Sequence, residues 1–143
     1  LHLPDGLSQD SLHMLMTCEP QIKEIGDLIS RTDVLLFGIG TAMRMADQRH
    51  IADDVRKKLV DNHAVGEALG QYCDMDGKLI YSTNNIGLSL PDVAKVPNVI
   101  AVAGGQEKAS AIIGVMRACQ KGILIIDEQA AEGMRQLLQI SAL

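Results

Sequence analysis

Val99-Ile100-Ala101-Val102-Ala103-Gly104-Gly105-Gln106-Glu107-Lys108-Ala109-Ser110-Ala111-Ile112-Ile113 is the stretch whose reading decides the fold. Its first five residues are an unbroken run of β-branched and small apolar side chains, as in a strand buried on both faces. Two glycines stop the run, and helical spacing takes over behind polar residues. The stretch predicts a buried parallel strand, a tight turn and a helix N-terminus. With no Cβ, Gly104 and Gly105 let the backbone approach whatever lies beyond the strand end. The first helical turn leaves amides unpaired and carries the positive end of the macrodipole, which suits an anion, phosphate above all. Lys108 stands in that turn, where a cation opposes the dipole unless a negative ligand shares the site. From this stretch alone, a plain strand-to-helix connection with a surface lysine reads equally well.

Working outward, Asp33-Val34-Leu35-Leu36-Phe37-Gly38-Ile39-Gly40 predicts a second buried strand, again ended by glycine, with Thr41 placed to cap the next helix. Gly122-Ile123-Leu124-Ile125-Ile126 predicts a third. Asp127 closes it and caps an amphipathic helix over Glu128 to Leu138. The helix after Lys108 is expected to reach Cys119. Upstream, residues 1–7 read as an extended lead-in, Ser8 as the cap of a helix over Gln9 to Met16, and Pro20 as the first residue of a helix ending near Arg31. Asp53 to Asp61 reads as a short polar helix. Ala64 to Cys73 and Lys78 to Tyr81 read as two β-rich runs joined by a hairpin at Asp74-Met75-Asp76-Gly77. Thr83 to Leu90 reads as a loop and Pro91 to Val96 as a short helix. Alternating strands and helices define an α/β fold, a parallel-rich, Rossmann-like sheet with helices on both faces. In such sheets ligands lie beyond the carboxyl ends of strands, where the turns at 38–40 and 104–105 fall.

The chain has 143 residues, one ordinary domain, and is 47% hydrophobic with two tyrosines, one phenylalanine and no tryptophan, so its core must be aliphatic. A net charge of −5 without a basic run argues against this chain gripping nucleic acid by itself. Cys18, Cys73 and Cys119 form no C-x-x-C pair, and His2, His13, His50 and His63 have no ligand spacing with them. The expectation is no metal, no cofactor, no disulfide framework and a reducing cytoplasm. No apolar stretch approaches the roughly 20 residues of a membrane helix. A start without Met and without a signal peptide reads as that of a fragment. Gly38-Ile39-Gly40 lacks the third glycine of a dinucleotide fingerprint and is a weak sign of NAD.

Two further charged residues stand out. Glu67 lies in a small, apolar, glycine-flanked context, where a buried carboxylate needs partners, and a polyol offers hydroxyl donors. A structural ion pair to a nearby lysine or arginine is the competing account. Arg49, near the end of the helix after Gly40, has the reach to meet an anion at the strand ends, although most helical arginines are simply solvated.

Phe37-Gly38-Ile39-Gly40, Gly66-Glu67-Ala68-Leu69-Gly70, Ile86-Gly87-Leu88, the run from Val99 to Lys108 and Ile125-Ile126-Asp127-Glu128-Gln129-Ala130-Ala131 occur here in an order that resembles the sugar-binding domain of SorC-type bacterial transcriptional regulators. The resemblance covers essentially the whole chain. It implies a fold similar to ribose-5-phosphate isomerase and glucosamine-6-phosphate deaminase (the NagB/RpiA/CoA transferase-like class). It also implies a phosphorylated sugar as effector, fructose 1,6-bisphosphate for members that control glycolytic genes. Residue by residue, Lys108 with Gly104 and Gly105 matches a phosphate-contacting loop, Glu67 a carboxylate that binds sugar hydroxyls, and Arg49 one of two adjacent basic residues that face a phosphate. The other of that pair is Gln48 here, which departs from the pattern. Residues 1–143 then correspond to the C-terminal part of the effector domain, without the DNA-binding domain and the first part of the effector domain. The resemblance further implies self-association, operator DNA bound only through the absent N-terminal domain, and no membrane.

The leading expectation is an effector-sensing module of a repressor, with no catalytic residues. An isomerase or deaminase on the same fold is the alternative, with Glu67 as base, but no Asp or His stands in a motif beside it. A nucleotide-binding module is the third.

Overall fold

The computed structural model describes residues 7–139, so the lead-in expected over residues 1–7 lies, except for Leu7, outside the described residues. The elements in order are α1 (Gln9–Cys18), α2 (Pro20–Ser30), β1 (Val34–Gly38), β2 (Gly40–Thr41), α3 (Ala42–Gln48), α4 (Asp53–Asp61), β3 (Gly66–Ala68), β4 (Gln71–Cys73), β5 (Leu79–Ser82), β6 (Asn98–Ala103), α5 (Ala109–Cys119), β7 (Ile123–Ile126) and α6 (Glu128–Leu137). Short 3-10 turns cover Pro91–Lys95 and Gln106–Lys108. Two helix caps form as their residue types require: Ser8 accepts from the Ser11 amide, and Asp127 accepts from the Ala130 amide. Thr41 occupies the N-cap position of α3 without a side-chain cap bond.

The three apolar runs form a parallel sheet in the order β1-β6-β7, which makes the α/β class plain. Phe37, Val99, Ala101 and Ala103 face α5, which buries Ala111, Ile112 and Val115 against them, and α6 adds Ala130. The buried valine and isoleucine side chains of this layer contribute about 1.5–3 kcal/mol each, and the alanines less. Side chains alternate across a strand, so the neighbouring positions point the other way. There Val34, Leu36, Val102, Ile123 and Ile125 stand 41 to 66% exposed. Among the described residues α5 and α6 both cover the first face, and the second face is apolar and open, so the helices expected on both faces are corrected to one face here.

The remaining strands form a separate antiparallel sheet in the order β2-β3-β4-β5. The chain changes sheets at Gly38-Ile39-Gly40: Ile39 still donates to Val102 O (3.2 Å), and Gly40 already pairs with Glu67. The expected single run from Ala64 to Cys73 is corrected here. It folds back on itself at Leu69-Gly70, where both residues are left-handed (φ 55° and 79°), the signature of a two-residue type I′ turn. A leucine in the first turn position, in place of Asn or Asp, hides that turn from a sequence reading. The expected hairpin at Asp74 to Gly77 does form, with Asp74 Oδ1 accepting the Asp76 and Lys78 amides at 3.0 and 2.9 Å. The second sheet is drawn tightly onto α5, since a Cβ at Gly66 would lie 2.8 Å from Ala111 O, and one at Gly114 2.4 Å from Asp74 O.

Candidate functional site

The sheet crossing sets the site. Because β1 peels into β2 at Gly40 and β2 pairs with β3, Glu67 is carried to the carboxyl end of the parallel sheet. The 3-10 turn of Gln106–Lys108, which leaves the end of β6, packs beside β2. Lys108, the last residue of that turn, is half-buried, and it does not line the cleft that Arg49 borders.

Glu67 is buried, and its Oε1 carries two bonds: the Gly70 amide donates at 2.7 Å and Arg49 Nη2 at 3.2 Å. Oε2 faces Gly40, where an added Cβ would lie 3.9 Å away. Burial pushes the Glu67 carboxyl above the usual carboxylate range, and the Arg49 charge and the Gly70 amide only partly pull it back. Arg49 caps the C-terminus of α3, and its side chain keeps 33% exposure against 4% for Glu67. Its guanidinium thus spans the carboxylate and solvent, and its Nε is buried without a hydrogen-bond partner. The ion pair weighed as the competing account of Glu67 is real, and its partner is the other residue expected to meet the ligand.

Several residues not singled out by sequence reasoning complete the surroundings. Thr83 donates through Oγ1 and its amide to Gly70 O (3.0 and 2.8 Å), and Asn85 Nδ2 donates to Leu69 O at 3.0 Å. These bonds and Glu67 hold a turn whose left-handed leucine costs on the order of 1–2 kcal/mol. A cleft of about 280 Å³ opens beside them, lined in part by Arg49, His50, Tyr81, Thr83 and Asn84. Thr83 and Asn84, expected only as the start of a loop, form part of this wall, and Asn85 braces the hairpin turn beside it. Gln48, the last residue of α3, is exposed.

The glycine turn differs in one respect from the expected anion cradle. The Gly105 amide donates to both oxygens of Asp127, at 2.9 and 3.1 Å, so it is engaged within the chain. Gly105 needs its freedom, at φ 96°, and a Cβ there would lie 2.5 Å from Glu107 Oε2. The amides left at the start of the turn belong to Gln106 and Glu107, ahead of its closing bond from Lys108 N to Gly105 O. Among the described residues no group of His, Cys, Asp or Glu side chains is arranged to hold a metal ion. None of the described helices is long and apolar enough to cross a membrane.

A family model described as a sugar-binding domain matches residues 1–136. The chain belongs to the sugar-binding domain family. This sugar-binding domain is 37% identical over 132 residues to the central glycolytic genes regulator of Bacillus subtilis, covering 92% of this chain and 38% of that protein. It is 39% identical to the regulator of the same name from Priestia megaterium, with the same coverage. A SorC family transcriptional regulator from Enterococcus faecalis superposes with a TM-score of 0.82 at 38% identity, covering 94% of this chain and 54% of that one. The sugar-binding domain thus spans less than two fifths of these curated relatives and about half of that solved chain.

Proposed function

We propose that this sugar-binding domain senses a phosphorylated sugar, fructose 1,6-bisphosphate, within a repressor of glycolytic genes. The observation that carries the reading is the juxtaposition of a buried carboxylate with a half-exposed guanidinium at the carboxyl end of a parallel sheet, beside the turn that bears Lys108. Glu67 Oε2 is an acceptor for sugar hydroxyls. Arg49 and Lys108 are donors of opposite charge to a phosphate, and the Gln106 and Glu107 amides add neutral donors. Such a site binds without moving a proton. A ligand that contacts both sheets at once favours one relative arrangement of the elements it touches, and only such differential binding shifts a conformational equilibrium. The names of the Bacillus and Priestia relatives support a glycolytic regulon. In that setting operator DNA is bound by a separate N-terminal domain, and self-association of subunits transmits the change.

Thermal denaturation of the full-length protein against a panel of sugar mono- and bisphosphates, NAD and ATP tests this reading. Fructose 1,6-bisphosphate at 100 times its dissociation constant is expected to add about 2.7 kcal/mol of stability. Lys108→Ala and Glu67→Ala are expected to reduce that shift. A larger shift from NAD or ATP, or unchanged responses in both variants, defeats it. Sustained turnover of a sugar phosphate would replace the sensor by an isomerase or deaminase with Glu67 as base.

A further inference from the structure

We propose that Asp127 is the positioning residue of the Lys108 turn, a side chain that touches no ligand and holds the ligand-binding backbone in place. The proposal rests on the reading above that residues 104–108 receive a phosphate.

Three observations carry it. The Asp127 carboxylate, at the end of β7, bridges two elements: it accepts the Ala130 amide at 2.8 Å as the cap of α6, and it accepts the Gly105 amide through both oxygens at 2.9 and 3.1 Å. The room for this clasp exists because residue 104 is glycine, since a Cβ there would lie 2.7 Å from Asp127 Oδ2. A second brace lies two helical turns' reach away, where Gly133 of α6 packs so closely on the turn that its Cβ would lie 3.1 Å from Gln106 O. The loop after β6 is therefore splinted to α6 at both ends of Gly105-Gln106.

The chemistry favours a geometric role over an electrostatic one. A carboxylate beside a phosphate subsite repels the ligand by its charge. Asp127 offsets that cost only if its oxygens fix the turn, so that the Gln106 and Glu107 amides and Lys108 converge before the ligand arrives. Preorganisation of this kind raises affinity by removing an ordering cost from the binding step. It also ties α6 to the ligand, since any pull on the turn is passed to the helix through Asp127.

The cap and the clasp are separable by substitution. Asp127→Ser keeps a good helix cap but is one atom too short to reach Gly105, and Asp127→Asn keeps the cap through its single oxygen but turns an NH2 donor onto the Gly105 amide, so both variants lose the clasp. The experiment titrates the full-length variants with fructose 1,6-bisphosphate by calorimetry, alongside melting temperature and hydrogen exchange of the peptide spanning 103–108. The expected result for Asp127→Ser is binding weaker by about tenfold or more, with faster exchange at 103–108 and a melting temperature near the parent's. Asp127→Asn is expected to weaken binding as Asp127→Ser does, although each removes a negative charge whose loss alone would tighten it. Parent-like or tighter binding by Asp127→Ser, while Lys108→Ala still loses binding, overturns the positioning role and leaves the site standing. Parent-like or tighter binding by Asp127→Asn also overturns it, because the clasp would then be dispensable. Parent-like binding by Lys108→Ala overturns the phosphate site itself, and this proposal with it.

Discussion

Arg49 Nη2 and the Gly70 amide converge on one oxygen of Glu67, at 3.2 and 2.7 Å, and the second oxygen is left facing Gly40. The carboxylate is buried and its partner is partly solvated, so attraction does not fully repay the water that Glu67 has lost.

A pH dependence follows from this imbalance. The folded chain binds the Glu67 proton more tightly than the unfolded chain, whose glutamate titrates near 4.5. Between that value and the raised folded one, stability falls as pH rises, and above it the full cost is in force. Glu67→Gln abolishes this titration and still offers Gly70 an acceptor. The stability of the variant relative to the parent, from urea denaturation, is expected to improve as pH climbs from about 4 to about 8. A difference that stays level across that range refutes the account.

Gly114→Ala reverses the usual rule for helix interiors. Alanine gains about 1 kcal/mol over glycine in an exposed helix. Here its Cβ would meet the Asp74 backbone carbonyl at 2.4 Å, and the hairpin must move to admit it. A net loss of about 1–3 kcal/mol is expected. Gly87→Ala, where the nearest atom is 3.9 Å away, is the control and is expected to stay within about 0.5 kcal/mol.

The cysteines are expected to label in sequence. Burial pushes the Cys73 thiol up to about 12 and Cys119 to about 11, whereas Cys18 is exposed. Since the thiolate is the nucleophile, iodoacetamide at mildly alkaline pH should modify Cys18 alone in the folded chain. Mass spectrometry of native and urea-treated samples checks this, and rapid native labelling at Cys73 or Cys119 contradicts it.

The open face of the parallel sheet predicts dye binding. Val34, Leu36, Val102, Ile123 and Ile125 form a contiguous apolar patch of a kind that folded monomers rarely display. The 143-residue chain is expected to enhance the fluorescence of a hydrophobic dye. The double variant Leu36→Thr and Ile125→Thr should weaken that signal, at a cost within about 1 kcal/mol because threonine suits strands. Unchanged fluorescence in the double variant would show that the dye binds elsewhere.

The parallel sheet and its helices were legible because three apolar runs, each bounded by glycine or a cap, have no competing reading. Asp127 even announced its cap on α6. The second sheet was not legible, because β2 is two residues long and Leu69 disguises a turn that Asn would have advertised. For the site, Glu67 and Arg49 could be picked out as charged groups in unusual settings, and the structure pairs them. What sequence could not show is that Gly105 spends its amide on a residue 22 positions away, or that Thr83 and Asn85 brace the hairpin. Those bonds depend on the crossing of two sheets, which no local pattern encodes.

The backbone at Leu69 has a consequence for how ligand and hairpin speak to each other. A wound spring stays wound only while its catch holds, and Glu67 is one of the catches. A ligand that met Glu67 as proposed would compete with the Gly70 amide if it drew the carboxylate away, and would leave the catch closed if it bonded only the second oxygen. On the proposed reading, occupancy would register first as a change in the opening rate of residues 67–70, the place where the ligand's partner and the left-handed turn share a bond.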